Sequence, residues 1–510
     1  MCLEKEVAEL STFFRGTLVL MGAVFLSKLF GFVFRIQFVR IAGEEAVGIY
    51  MAAYPAFIFF LSLIQLGLPI AVAKIIAELY AKDKFGDIKA LMRKVWKMTV
   101  LSICFLGPFL WFFVPFLASE LLRNEEIEKT LYIGLITITM VTFSSVLKGY
   151  FQGLAKVEET AWSQLIEQFL RIGLVTWFLP YIVIQDSPAE TAAAAMLLAL
   201  VAELVAFLYL WMKYKRQKMK AVASDSYPSK PILQVALPSA GSRLFGSFTW
   251  FLEPIIFIRA LSVAGVSAVA ATSLYGVISG VFIPLLLFPA FIPYALSIVL
   301  VPAVSDARAR SNKHMLQERV SLAMRVSAIT GCFAATVFYL HGEHIVNVLF
   351  HIDEGSGYMA LLAPVFFFYY IQSPLHAILQ AMHEAKAAMM NSIYGGLGKL
   401  FVMFVLASQP GVEEKGAILA IGFGVCLTSF LHMATLRQKK EAGIGFTFFA
   451  FPYLLFITTV ILRPLVWPIA ELPWIADSLI TCVMVGIGLI LFRQIRLSDI
   501  RMMRKLVKKS

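Results

Sequence analysis

The sequence predicts an all-α polytopic membrane protein of 14 transmembrane helices, built as two pseudo-symmetric six-helix lobes followed by two C-terminal helices. Three observations carry this: apolar runs long enough to cross a bilayer, an alternation of charge between successive loops, and an internal repeat. The 510 residues are 60% hydrophobic and 15% charged, where a soluble chain is about one quarter charged. A crossing helix needs about 20 apolar residues, and runs of that length recur from end to end.

The runs fall at about 13–40, 46–80, 91–118, 130–154, 161–185, 190–214, 232–262, 266–301, 318–340, 359–382, 388–408, 415–437, 446–467 and 474–494. The second is long and carries Pro55 and Pro69, which predicts a tilted or kinked helix projecting beyond the bilayer. Loops after even-numbered spans are basic, as in "KDKFGDIKALMRK", "KYKRQKMK", "DARARSNKH" and "RQKK", and so is the tail "RMMRKLVKKS"; "KVEE" and "HEAK" are mixed. Loops after odd-numbered spans are acidic or nearly neutral: "SELLRNEEIEK", "QDSPAE", "HGEHIVNVLFHIDEG", "GVEEK" and "AELPWIAD". Such alternation predicts a cell-membrane protein with both termini in the cytoplasm. The opening "MCLEKEVAEL" is charged and leads into no short apolar core with a cleavage site, so no cleaved signal peptide is expected.

"SKLFG" (Ser27 to Gly31) recurs as "SRLFG" (Ser242 to Gly246). Further along, one offset of 228 residues pairs Glu78 with Asp306, Lys148 with His376, Gln152 with Gln380, and Arg171 with Lys399. The halves so defined hold six helices each, an even number, so both have one orientation about an axis along the membrane normal, with a cleft between them. The expected divisions are residues 1–220 for helices 1–6, 221–440 for helices 7–12, and 441–510 for helices 13–14 and the tail.

Charges inside these spans single out candidate site residues, because an ionisable group near a helix centre costs roughly 2.5–3.5 kcal/mol to insert. Lys28 and Arg35 lie seven residues apart, about two turns, on one face of the first helix. Arg243, with Glu253 and Arg259 beyond it, lies on the seventh. The fifth carries Glu167 and Arg171, four apart; the fourth carries Lys148 and the eleventh Lys399. Bland roles compete: Glu167 and Arg171 suit a helix-surface ion pair, Glu253 suits a pair with Arg243 or Arg259, Arg40 can snorkel, and His376 and His432 suit packing. Six cations (Lys28, Arg35, Lys148, Arg171, Arg243, Lys399) against two carboxylates (Glu167, Glu253) predict a cleft that holds an anion.

Other chemistries find little support. "GGLGKL" (Gly395 to Leu400) lacks the first glycine and the following Ser/Thr of a phosphate loop, and "HGEH" (His341 to His344) reads as an external loop with the wrong spacing for zinc. Cys2, Cys104, Cys332, Cys426 and Cys482 have no metal-ligand spacing. The formal charge of +12 falls mostly in short loops, as topology signals and not as a nucleic-acid surface. No cofactor, metal or enzyme reading follows.

"SKLFGFVFR", "GEEAVGIYMAAYPAF", "GLPIAVAK", "LKGYFQG", "SRLFGSFTWFLEPI", "LVPAVSDA" and "LQAMHEAK" resemble the polysaccharide-transporter branch of the MOP exporter superfamily over nearly the whole chain. The resemblance implies a MATE-like, two-lobed fold of 14 helices. It also implies flipping of a lipid-linked saccharide, an undecaprenyl-pyrophosphate-linked peptidoglycan precursor for the spore cortex, from inner to outer leaflet. The related MurJ-type lipid II flippases carry "SR…GF.RD" on their first helix; Ser27-Lys28 occupies the "SR" position, while Phe34 stands at the second arginine and Arg35 one residue beyond. In that group the last two helices line a groove for the lipid tail. Two other readings compete. A cation-coupled multidrug antiporter would want unpaired carboxylates, and a non-transporting scaffold for cell-wall synthesis enzymes would tolerate neutralised cleft charges.

Overall fold

A computed structural model describes residues 2–183, 187–217, 226–352, 357–438, 447–466, 473–492 and 494. The basic tail at 501–510, and with it the position of the C-terminus, lies outside these residues, as do parts of the loops at 184–186, 218–225, 353–356, 439–446 and 467–472. Among the described residues every regular element is helical: α1 (Cys2–Gln65), α2 (Leu68–Tyr80), α3 (Phe85–Phe116), α4 (Ile127–Gly153), α5 (Val157–Ile182), α6 (Pro188–Arg216), α7 (Ser229–Val263) and α8 (Ala268–Val277). They continue as α9 (Ile283–Leu287), α10 (Phe291–Ala309), α11 (Lys313–Phe350), α12 (Tyr358–Ala381), α13 (Ala385–Ala407), α14 (Glu413–Gln438), α15 (Thr447–Val466) and α16 (Trp474–Leu491).

Twelve stretches are long and apolar enough to cross a membrane; the first, Lys28–Gln65, breaks into two arms, and the shorter apolar helix Phe449–Arg463 completes fourteen crossings. The break is at Gly43, whose φ of 76° and ψ of 170° end one helix and begin the next. Pro55 stays inside the second arm. The kink expected of the long second span falls at Leu66 (φ 46°) and Gly67 (φ 70°), which are left-handed just before Pro69 enters the first turn of α2. Proline is accommodated there because the first-turn N–H groups have no helical partner to lose.

Two loop expectations are corrected. Most of "KDKFGDIKALMRK" is the start of α3, so its basic residues ride on a helix, and "HGEH" lies inside α11 and not in a loop. The eighth span is also interrupted: α8 passes through a π-helical turn at Ile278–Phe282 and a short 3₁₀ turn at Phe288–Ala290 before α10 resumes.

The chain forms two compact units, Met1–Ser262 with Val266–Gly280, and Val263–Gly265 with Val281–Ser510. In the first, the core of α2, α3, α4, α6 and α7 is built on Val72, Ile76, Leu91, Val95, Leu147, Phe151, Leu210 and Ile232. Helix α7 begins the second repeat in sequence yet packs in this unit. Phe251 stacks on Phe59 with ring centroids 4.8 Å apart, and Trp250 meets Tyr54 edge-on at 5.8 Å. In the second unit Val304, Met324, Phe367 and Ile371 pack with Phe456, Val485 and Leu489 of the last two helices. There Asp477 of α16 pairs with Arg463 of α15 and lies 3.2 Å from His341 Nε2 of α11, all three within the helical body. "GGLGKL" proves to be a packing seam: a Cβ on Gly395 would meet Thr428 Oγ1 at 1.8 Å, and one on Gly424 would meet Lys399 Cβ at 2.7 Å.

The 228-residue repeat is written in the backbone. Asp83, Arg123 and Ala155 are left-handed, with φ of 54°, 51° and 57°, and so are Ser311, His351 and His383, with φ of 53°, 59° and 65°. Helix ends match as well: Lys84 N–H bonds the Leu79 carbonyl at 3.0 Å as Asn312 bonds Ala307 at 3.0 Å. Lys156 bonds Phe151 at 2.9 Å as Glu384 bonds Leu379 at 2.8 Å. The same turn closes corresponding helices of the two halves.

Candidate functional site

Seven of the eight residues singled out by sequence lie in the first unit, on α1, α4, α5 and α7; Lys399 alone is in the second. Three of the seven join one network. Arg171 donates to Glu167 Oε1 at 2.6 Å, one turn back along α5, and Lys148 of α4 lies 3.6 Å from Glu167 Oε2. The fourth member escaped the sequence reading. Glu203, on α6, places Oε1 3.9 Å from Lys148 Nζ. It is a lone carboxylate in the apolar run "AMLLALVAELVAFLYLW", and the cost of inserting such a group was the signal that could have found it. Lys148 and Arg171 are therefore balanced by two carboxylates, and the expected positive surplus is not at this network.

Arg35 is held differently. Its Nη1 donates to the Ser279 carbonyl at 3.0 Å and touches Met51 Sδ at 3.8 Å. Ser279 lies in the π-helical turn, where the hydrogen-bond register slips and carbonyls can be left for an outside donor. Arg35 also adjoins the ion-pair network. The Arg171 guanidinium stands over the ring of neighbouring Phe34, 5.8 Å from its centroid, and Tyr50 and Tyr54 are within Coulombic reach of both guanidiniums.

Arg243 has its own station. It donates to Gln65 Oε1 at 2.8 Å, and buried Gln65 in turn donates to Ser145 Oγ at 2.9 Å. Arg35 reaches Met51 and Arg243 reaches Gln65, fourteen residues apart on one helix arm, or about 21 Å. The two arginines thus do not converge on one point. Neither has a carboxylate in ion-pair range among the described residues; both bond neutral acceptors. Lys28 lies exposed two turns before Arg35. Glu253 is buried on α7, while Arg243 turns to Gln65 and Arg259 to the Glu120 carbonyl at 2.8 Å. In the second unit Lys399 lays its stem along Gly424, and His376, the repeat partner of Lys148, lies 3.0 Å from Gln380.

Fourteen apolar helices, a repeated six-helix plan and charges held inside the crossing segments define a multi-pass membrane protein with the fold of MOP-superfamily transporters. Solved structures bear out the fold: it superposes on the lipid II flippase MurJ in an inward closed conformation with a TM-score of 0.67 at 13% identity, covering 93% of this chain and 99% of that one. A multidrug resistance MATE family transporter in an inward-facing conformation superposes with a TM-score of 0.64 at 17% identity, over 82% and 95% of the two chains.

Residues 13–308 match the polysaccharide biosynthesis protein family, and the chain belongs to it. It is similar to stage V sporulation protein B of Bacillus subtilis (strain 168), 35% identical over 96% of this chain and 97% of that protein. The lipid II flippase MurJ of the same organism is 21% identical over 86% of this chain and 84% of that one.

Proposed function

We propose that the protein is a flippase that moves a lipid-linked saccharide, an undecaprenyl-pyrophosphate-linked peptidoglycan precursor for the spore cortex, from the inner to the outer leaflet. The observation that carries this reading is that Arg35 and Arg243, on the first helix of each repeat, rest on neutral acceptors inside a membrane-spanning body. A guanidinium bonded to a carbonyl or an amide keeps its charge available to an incoming phosphate, and its planar fork suits one. Their contacts, at Met51 and Gln65, lie about 21 Å apart along one helix arm, which supports successive roles for them. One arginine meets the pyrophosphate on entry and the other on the far side of the passage, with Lys28 at the approach to Arg35.

Two lobes rock about the headgroup while the polyprenyl tail stays in lipid along the last two helices. Basic loops put both termini in the cytoplasm, so the anion travels outward from a negative interior. Each elementary charge gains about 2.3 kcal/mol per 100 mV, which removes the need for an ATP site. Relatives named as flippases and transporters support a transporter over an enzyme.

The test is a reconstituted flipping assay with defined lipid-linked precursors. Arg35→Ala and Arg243→Ala are expected to insert normally and to lose translocation. Normal flipping by both would remove them from the path, and normal complementation by both would favour a scaffold for wall-synthesis enzymes.

A further inference from the structure

We propose that Glu203 is the proton-carrying group of the first unit: when an anionic headgroup takes Lys148 and Arg171, Glu203 binds a proton, so each dianion travels with one. The proposal rests on the reading of this unit as a site for a pyrophosphate-bearing headgroup.

The four charged side chains form a graded wall. Side-chain exposure falls from 22% at Arg171 and 17% at Lys148 to 12% at Glu167 and 3% at Glu203. The two cations are thus the more exposed members of the network and Glu203 the most buried. With two cations and two carboxylates the formal charges of the network cancel. A pyrophosphate diester has two negative charges that stay fixed across the neutral range. Added to a neutral, mostly buried network it leaves two uncompensated charges, and uncompensated buried charge is far costlier than taking up a proton.

Geometry selects Glu203 over Glu167. Glu167 accepts a 2.6 Å bond from Arg171 and has Lys148 at 3.6 Å. Glu203 has its cation, Lys148, at 3.9 Å, beyond hydrogen-bond range, and its Oε1 accepts no hydrogen bond. Ser163 Oγ, one turn before Glu167 on α5, is likewise buried with no hydrogen-bond partner. The groups around Glu203 are Ser144 and Lys148 from α4 and Glu167 and Arg171 from α5; α1 brings Arg35, Tyr50 and Tyr54 to the Arg171 side. The step is a plain proton transfer. As Lys148 swings to the phosphate, a carboxylate oxygen of Glu203 takes up a proton supplied by the buffered solvent and becomes O–H, and that proton returns to solvent when Lys148 returns.

Proton uptake on binding means that binding weakens as pH rises. The test uses the full chain in nanodiscs, titrated calorimetrically with farnesyl-pyrophosphoryl-N-acetylglucosamine in two buffers of different ionisation heat. The wild type is expected to take up about one proton per ligand, with affinity falling about tenfold per pH unit where Glu203 titrates. Glu203→Gln is expected to bind with almost no uptake and a flat pH profile, and Glu203→Asp to keep the uptake. Zero uptake by the wild type overturns the proposal, and this readout needs no variant to fold. Wild-type uptake retained in a folded Glu203→Gln also overturns it. Absence of ligand binding, or binding undiminished in Lys148→Met and Arg171→Gln, sinks the headgroup reading itself and this inference with it.

Discussion

Asp83 and Ser311 lie 228 residues apart and hold the same left-handed backbone, with φ of 54° and 53°. Each closes a turn whose next N–H reaches back five residues to a helix carbonyl, at 3.0 Å in both cases. Side chains at such positions have diverged from aspartate to serine, and from alanine to histidine at Ala155 and His383, while the conformation has stayed. The repeat is thus kept in turn geometry more firmly than in residue identity.

Alanine gains nothing from a left-handed backbone, unlike Asp or Asn, whose side chains can bond locally. Ala155→Gly is therefore expected to stabilise the protein by about 0.5–1 kcal/mol, since glycine removes the Cβ clash at a small cost in unfolded-state entropy. Ala202→Gly, in the buried middle of α6, is the control and should destabilise by about 1 kcal/mol. Thermal unfolding followed by a fluorescent thiol or tryptophan probe reads both; equal shifts for the two would refute the argument.

What was legible in the sequence was whatever periodicity and charge count could reach. The fourteen crossings follow from apolar length, and the Glu167–Arg171 pair from its four-residue spacing. The expectation of a positive surplus failed at Lys148 and Arg171 because Glu203 comes from another helix, and no spacing rule relates α6 to α4 and α5. The separate stations of Arg35 and Arg243 were out of reach for a similar reason: a repeat shows that two residues are equivalent, not what either side chain meets. Of the two prolines that predicted a kink in the second span, Pro69 marks it and Pro55 does not. Pro55 is absorbed within the helix, and the break follows Leu66 and Gly67, where Gly67 sits against the Ala236 carbonyl.

Among the described residues Lys148 is the ion-pair partner of Glu203, and it also serves Glu167. Lys148→Met should destabilise by about 3 kcal/mol, because it strands a buried carboxylate. Adding Glu203→Gln should recover most of that loss, since Glu167 still has Arg171 at 2.6 Å. A double-mutant cycle on unfolding free energy checks this; simple additivity of the two substitutions would show that the groups do not interact.

In the second unit, Asp477 ties α16 to α15 through Arg463 and to α11 through His341. Asp477→Ala removes one carboxylate and leaves two polar partners in the helical body. The loss is expected at about 2 kcal/mol, below the full cost of breaking a buried pair because Arg463 is one fifth exposed. Hydrogen exchange should rise in α15 and α16 ahead of α12, whose Phe367 and Ile371 lie in the core independently of this tie. Uniform loosening of the unit would argue against a local clasp.

Gly67 combines two demands that no other residue type meets together. Its φ of 70° is left-handed, and a Cβ there would lie 2.2 Å from the Ala236 carbonyl oxygen and 2.9 Å from Ala240 N, both on α7. Neither obstacle is a flexible side-chain end, so the clash can be relieved only by moving α7 away from the end of α1. Gly67→Ala is therefore expected to cost at least about 2 kcal/mol, strain and lost packing together. It should also lengthen or break the Arg243–Gln65 bond, because Gln65 is two residues away. Cysteine cross-linking between positions 65 and 243 reports that separation directly. A Gly67→Ala variant that cross-links at the wild-type rate and unfolds at the wild-type temperature would show that the approach of the two helices is not what this glycine is for.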